Sequence, residues 1–285
     1  MKPSSFQTAL LTSLTMIAFA SNSLLNRLAL GQNTIDAASY TTIRLISGAA
    51  MLFVIATLQR KSGQPILRRS WISAAFLFLY AITFSFAYLS LTTGTGALIL
   101  FSSVQVTMIF AALRGGERPH FLEWIGLFLA LGGLVYLVYP GLAAPSPFGS
   151  ILMMTAGIAW GFYSIRGRGS LNPLADTAGN FIYAIPMVLS IRLFTLNNIH
   201  VSTNGIWLAT LSGAVASGVG DVIWYTALRG LTTTRAAIVQ LSVPVIAAWS
   251  GVVILSEAVS RRLFLAGALI LGGIALAVLS RVKKA

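Results

Sequence analysis

The chain has 285 residues, 56% of them hydrophobic and only 9% charged, with a formal net charge of +13 and no cysteine. A soluble domain of this length carries about a quarter charged residues, so the composition excludes a soluble globular protein. It also excludes structural disulfides, thiolate metal sites and cysteine nucleophiles.

The charges are clustered, and the gaps between them outline the elements. No Asp, Glu, Lys or Arg occurs in residues 3–26, 70–113, 124–165, 193–220, 236–256 or 263–280. A helix of ~20 apolar residues crosses the hydrocarbon layer. The two longest runs therefore cross twice, and no region is left for a separate domain beside a single anchor.

The first helix is predicted at 6–26 and places the amide of Asn22 within a span. Lys2 and Ala18-Phe19-Ala20 resemble a signal peptide with a small-residue cleavage site, but the stretch is long enough to span and reads as an uncleaved helix. The second, at 38–58, carries Arg44 about 10 Å below the membrane surface at 1.5 Å per residue. There it attracts a substrate carboxylate, snorkels, or fixes neighbouring helix ends. The third, at 71–91, carries Phe76, Tyr80, Phe84 and Tyr88 at four-residue spacing. That is the pattern of an aromatic cavity wall, or equally of core packing or lipid contact. A glycine-and-threonine turn at Leu91–Gly96 precedes the fourth helix, 95–113, with the amide of Gln105.

The fifth helix, 121–139, holds Gly132-Gly133 and ends at Tyr139-Pro140-Gly141. The sixth, 148–165, bears Trp160 and Tyr163 one turn apart, and the seventh, 175–196, contains Pro186 and Arg192. The eighth, 205–228, contains Asp221, in line with Ala209, Gly213 and Ser217, and has Trp224 one turn on. A charge this deep in a span faces a bundle interior or a wet cavity. Asp221 reads as a proton-coupling or ligand-ammonium site, or as a structural hydrogen-bonding group. On this spacing it lies about 14 Å deeper than Arg44, too far for an ion pair. The ninth helix, 234–255, carries Gln240 and Pro244, and the tenth, 263–280, carries Gly272-Gly273. Buried amides need partners, and Pro186 and Pro244 each free a carbonyl, which makes them candidate hinges.

With the N-terminus in the cytoplasm, 14 of the 19 basic residues fall on the inner side. The positive-inside bias therefore places both termini there. It also explains the net charge without a nucleic-acid partner.

At an offset of 140 residues, Ala97, Ser102, Glu117, Leu131 and Gly132-Gly133 recur as Ala237, Ser242, Glu257, Leu271 and Gly272-Gly273. Five helices per copy turn the second copy upside down, a common plan of secondary transporters. These segments resemble the end of an EamA unit. Ala159-Trp160-Gly161-Phe162-Tyr163 resembles the opening of a second unit, and Ala18–Asn22 a degenerate first one, with Arg44 matching an arginine early in the second helix. The chain is thus identified as similar to the drug/metabolite transporter superfamily. Gly167–Pro173 is similar to the corresponding segment of aromatic amino acid exporters in it.

The expected fold is an all-α integral membrane protein of ten transmembrane helices, in two inverted five-helix repeats, 6–139 and 148–280. The resemblance implies a multi-pass carrier of the bacterial cytoplasmic membrane with a central cavity, helices 5 and 10 lying outside it. The expected cargo is amino acids, aromatic and other apolar ones included, moving outward; drugs, nucleosides or other metabolites are the alternatives within transport. A membrane scaffold without transport is the alternative of another class. The candidate cavity residues are Asn22, Arg44, Tyr80, Phe84, Tyr88, Gln105, Trp160, Tyr163, Trp224 and Gln240. Asp221 is the site at which protons would couple. No catalytic cluster, P-loop or metal-ligating motif is visible in the sequence, so neither an enzyme nor a cofactor is expected. The partners are the small-molecule substrate and the lipid bilayer, and a monomer is expected, with a dimer as the alternative.

Overall fold

The structure, a computed structural model, describes residues 4–59, 67, 70–114, 121–139, 144–195, 199–231, 236, 239–240 and 242–282. Among these the chain is helical, apart from one isolated bridge. The helices are α1 (Ser5–Gly31), α2 (Ala37–Leu58), α3 (Trp71–Ala87), α4 (Thr93–Arg114), α5 (Phe121–Val138), α6 (Pro147–Gly167), α7 (Pro173–Phe194), α8 (Thr203–Leu228), α9 (Ser242–Leu255) and α10 (Arg261–Val282). Glu117, His120, Pro140, Gly141, Arg235 and the side chain of Arg192 lie outside the described residues.

Short polar residues set the helix starts by accepting bonds from otherwise unpaired first-turn amides. Ser4 and Gln7 form a reciprocal capping box on α1. Asp36 accepts from the Ser39 amide at 2.8 Å, Ser202 caps α8, and Ser146 precedes Pro147 at the first position of α6.

Packing follows a two-fold pattern: α3 lies on α6 as α8 lies on α1, α4 on α6 as α9 on α1, and α2 on α8 as α7 on α3. The pairs α2–α7 and α4–α9 meet across the centre, while α5 and α10 pack on each other and reach the remaining helices chiefly through α4. Gly133 admits Leu269 and Ile270 of α10 at close range, whereas Gly132 and Gly272 meet no neighbour within 4 Å.

Six of the described helices are long and apolar enough to cross a membrane, and α3 and α9 are shorter apolar helices. Their outward faces expose Phe6, Leu10, Leu14 and Ile17 on α1 and Phe53, Val54 and Leu58 on α2. Such a contiguous apolar surface suits lipid. The first helix is longer than the sequence suggests. It continues through Arg27 to Gly31, because Arg27 is paired with Glu257 at 3.2 Å and so need not mark a helix end.

Candidate functional site

The centre of the bundle is built around an irregular stretch of α8. Residues Ser212–Val219 form a π-helix inside an otherwise α-helical rod. Ser212 and Ser217 are five residues apart, which in an α-helix would set them ~140° apart. The π winding brings both to one side chain. Ser212 Oγ donates to Asn22 Oδ1 at 2.7 Å, and Asn22 Nδ2 donates to Ser217 Oγ at 3.0 Å. π-Bulges of this kind recur at functional sites.

Arg44 enters the same cluster from α2. Its Nε donates to Ser217 Oγ at 3.0 Å and its Nη2 to the Tyr80 hydroxyl at 3.1 Å. Its guanidinium also lies 5.2 Å from the ring centres of both Tyr80 and Phe84. Arg44 is 1% exposed, which excludes snorkelling. Its Nη1 is buried without a hydrogen-bond partner.

One turn beyond Ser217, Asp221 is 2% exposed and faces the Tyr163 hydroxyl and, at longer range, the Arg44 guanidinium. Its Oδ2 also has no hydrogen-bond partner. No ion pair joins Arg44 to Asp221, as the spacing predicts. Both nevertheless border one cluster, because the long arginine side chain runs down to Ser217, a turn from Asp221. The stripe Ala209, Gly213, Ser217 and Asp221 is buried along its whole length, and Gly213 lets α8 approach the Arg44 carbonyl of α2.

Around this polar core lies a continuous set of aromatic rings. Trp160 sits 4.9 Å from Tyr80, 5.3 Å from Tyr163 and 5.1 Å from Phe19. Phe19 also meets Trp224 at 5.7 Å. Tyr80, Phe84 and Tyr88 follow one another along α3, while Phe76, the fourth member of that stripe, stacks on Phe162 nearer the surface. Gln240 accepts from Trp160 Nε1 at 3.4 Å and donates to the Ala236 carbonyl. Gln105 is buried on α4. Pro186 lies on the exposed face of α7, whereas Pro244 is buried near the start of α9.

The two ends of the bundle differ. At the end where α1 finishes, Glu257 binds Arg27 and accepts two contacts from the Thr93 amide at the start of α4, at 2.8 and 3.1 Å. Arg27 Nη1 also donates to the Tyr88 carbonyl at 3.2 Å. The turn holding Glu257 is a helix C-cap: Ser256 adopts φ 53°, and the Glu257 amide returns to the Gly251 carbonyl at 3.1 Å. The α1–α2 and α7–α8 loops close the same end through the antiparallel bridge between Ile35 and Val201. At the end where α1 begins, a pocket of about 240 Å³ is lined by Ser70, Ser73, Arg166, Gly167, Asp176, Asn180 and Tyr225.

Four further residues of the site, Phe19, Ser212, Asn180 and Tyr225, are not marked as such by the sequence. Phe19 stands within the Ala18–Asn22 motif and was legible there. The five-residue serine spacing was the only trace of the π segment, and nothing in the sequence marked Asn180.

The EamA-like transporter family model matches residues 7–139 and 147–279. The chain is 48% identical to an uncharacterized protein of Pseudomonas aeruginosa, over 98% of this chain and 97% of that one. It is 25% identical to a probable amino-acid metabolite efflux pump of Escherichia coli, over 70% and 71% of the two chains. Its fold is similar to that of a solved crystal structure with a TM-score of 0.68 at 19% identity, covering 99% of this chain and all of that one. The chain belongs to the EamA-like transporter family of multi-pass membrane proteins.

Proposed function

We propose that the chain is a secondary transporter exporting small metabolites, above all amino acids, aromatic and other apolar ones included, by alternating access. It crosses the bacterial cytoplasmic membrane ten times as two inverted repeats, 6–139 and 148–280, with both termini inside. The observation that carries the reading is the pair of buried, opposite charges. The Arg44 Nη1 and the Asp221 Oδ2 each keep an unused hydrogen-bonding position inside the bundle. A zwitterion satisfies both, its carboxylate on Arg44 and its ammonium on Asp221. The rings of Phe19, Tyr80, Trp160 and Trp224 offer its side chain an apolar, aromatic surface. The efflux pump among the relatives supports the cargo class, as does the resemblance of Gly167–Pro173 to the aromatic amino acid exporter YddG.

The chemistry of the ligand tests this. Ligand binding to the folded state raises its thermal transition. L-phenylalanine should raise that of the purified protein; its methyl ester, lacking the carboxylate, and phenylpropionate, lacking the ammonium, should not. Equal stabilisation by all three would rule out the Arg44–Asp221 assignment. In Asp221→Asn, loss confined to proton-driven accumulation, with amino acid exchange intact, identifies Asp221 as a coupling site instead.

On this reading the clamp of Arg27, Tyr88, Thr93 and Glu257 closes the outer side and the pocket opens inward. Removing the Glu257 charge should favour the outward-open state. The chain has no cysteine, so Thr93→Cys supplies a unique thiol beneath the clamp. Charge-assisted hydrogen bonds contribute about 1.5–3 kcal/mol. Glu257→Gln should therefore speed labelling of that thiol from outside by roughly tenfold or more, and an unchanged rate would show that the clamp does not gate.

A further inference from the structure

Among the described residues no ion pair holds Asp221, so its orientation depends on the neutral groups around it. Tyr163 of α6 presents its hydroxyl to the Asp221 carboxyl. Two side chains of α7 converge on the same hydroxyl. Asn180 Nδ2 donates to it at 3.4 Å, and the Thr177 hydroxyl, one turn earlier, is a further hydrogen-bond partner. The neighbouring Tyr225 hydroxyl donates its own proton to the Tyr163 backbone carbonyl at 3.2 Å. Tyr163, Thr177, Asn180 and Asp221 are each at most 2% exposed.

The directions of these bonds follow from the groups themselves. A phenol has one proton to give and also accepts through its oxygen, an amide N–H only donates, and an ionised carboxylate only accepts. With Asn180 donating to the Tyr163 oxygen, the single Tyr163 proton is left for Asp221. An Asn180 turned to present Oδ1 would draw that proton away from the carboxylate. Instead Oδ1 keeps no hydrogen-bond partner, and the contact with Tyr163 is what the buried amide secures. A hydrogen bond to a carboxylate is charge-assisted and directional. The ring that carries the hydroxyl is fixed as well, packing on both Trp160 and Tyr225 at 5.3 Å. Asp221 Oδ2 remains without a partner, the position left for an ammonium.

We propose that Tyr163 and Asn180 are positioning residues of the central site. Tyr163 holds the Asp221 carboxylate in the orientation that leaves Oδ2 for the solute's ammonium, and Asn180 acts through Tyr163 by directing its proton. Neither has to touch the solute. This deepens the amino acid reading and rests on it for the ammonium.

Tyr163→Phe removes the hydroxyl alone, keeping the ring contacts and the backbone carbonyl that Tyr225 uses. The measurement is the L-phenylalanine concentration that gives half of the full thermal stabilisation of the purified protein. Tyr163→Phe should raise it about tenfold or more, the effect of losing one charge-assisted bond. Asn180→Leu should raise it about three- to tenfold, the effect of one neutral bond. Because the residues act in series, Asn180→Leu should add less than about twofold on top of Tyr163→Phe, and so should either variant on top of Asp221→Asn. Merely structural losses at independent positions would multiply instead. Should Tyr163→Phe not fold, the pair Asn180→Leu and Asp221→Asn decides by the same comparison. An unchanged concentration in Tyr163→Phe, or losses that multiply in the double variants, would overturn the positioning role while sparing the amino acid reading. Absence of any stabilisation of the unsubstituted protein by L-phenylalanine, L-methionine and L-threonine would overturn both.

Discussion

On the proposed amino acid reading, replacing Arg44 by Gln should cut exchange roughly ten- to hundredfold and destabilise the fold, and the two losses should separate in a double variant. Arg44 serves Ser217 through Nε, Tyr80 through Nη2 and the Tyr80 and Phe84 rings through its plane. Glutamine reaches none of these in the same geometry, and the cation facing Asp221 is gone. Removing one partner from a buried charge arrangement costs about 3–5 kcal/mol, most of it from the charge left behind. Asp221→Asn in the same chain removes that charge, so Arg44→Gln with Asp221→Asn should regain most of the thermal stability. Transport should not return. A carboxylate held by one charge-assisted bond loses about 1.5–3 kcal/mol with it, so exchange should fall roughly ten- to hundredfold in the single variant and stay there in the double. Arg44→Lys should also fail, since an ammonium is a point donor without the planar fork that serves Ser217 and Tyr80 together. A double variant that exchanges amino acids at the original rate would show Arg44 to be structural.

The second large effect concerns Gly213. A Cβ there would lie 2.0 Å from the Arg44 carbonyl oxygen and 2.1 Å from Ser47 Oγ. The obstructing carbonyl belongs to the backbone of α2, and the glycine sits within the π segment, so neither side can turn a rotamer to make room. Overpacking typically costs about 1–3 kcal/mol, and more where the backbone must move; Gly213→Ala belongs at the upper end and Gly213→Val beyond it. Separating α2 from α8 also draws Arg44 Nε away from Ser217, so exchange falls with stability. Gly132→Ala is the control, with no neighbour within 4 Å of the added atom. Thermal unfolding in detergent should show a large drop for Gly213→Ala and none for Gly132→Ala. Equal transitions for the two would mean that α2 and α8 do not approach this closely.

The contrast between these positions shows what the sequence could express. Apolar runs and cap residues signal helices through local chemistry, so most elements were legible within a turn. Arg27 misled because a lone arginine looks like a membrane boundary, and its partner Glu257 is 230 residues away. The aromatic stripe of α3 and the pair Trp160 and Tyr163 were legible as a pattern, since helix periodicity assigns residues to faces; which face turned inward was not. Depth arithmetic along straight helices kept Arg44 and Asp221 apart. It ignored the length of the arginine side chain and the local unwinding of α8. The π segment is tied to tertiary contacts: it sets Ser212 and Ser217 on Asn22 of α1 and Ser217 on Arg44 of α2, partners far away in the sequence. Asn180 is hidden for a similar reason, because a polar residue near a helix start is ordinary until the structure shows it buried beside the Tyr163 hydroxyl.

Counterflow in proteoliposomes is the most direct measure of an alternating-access amino acid carrier. Vesicles containing only the purified chain and loaded with unlabelled L-phenylalanine should transiently concentrate labelled L-phenylalanine from outside, without ATP. Protein-free vesicles and vesicles bearing Arg44→Gln should not. If wild-type vesicles show no such overshoot with phenylalanine, methionine or threonine, while the protein remains folded and correctly inserted, the chain is not an amino acid carrier.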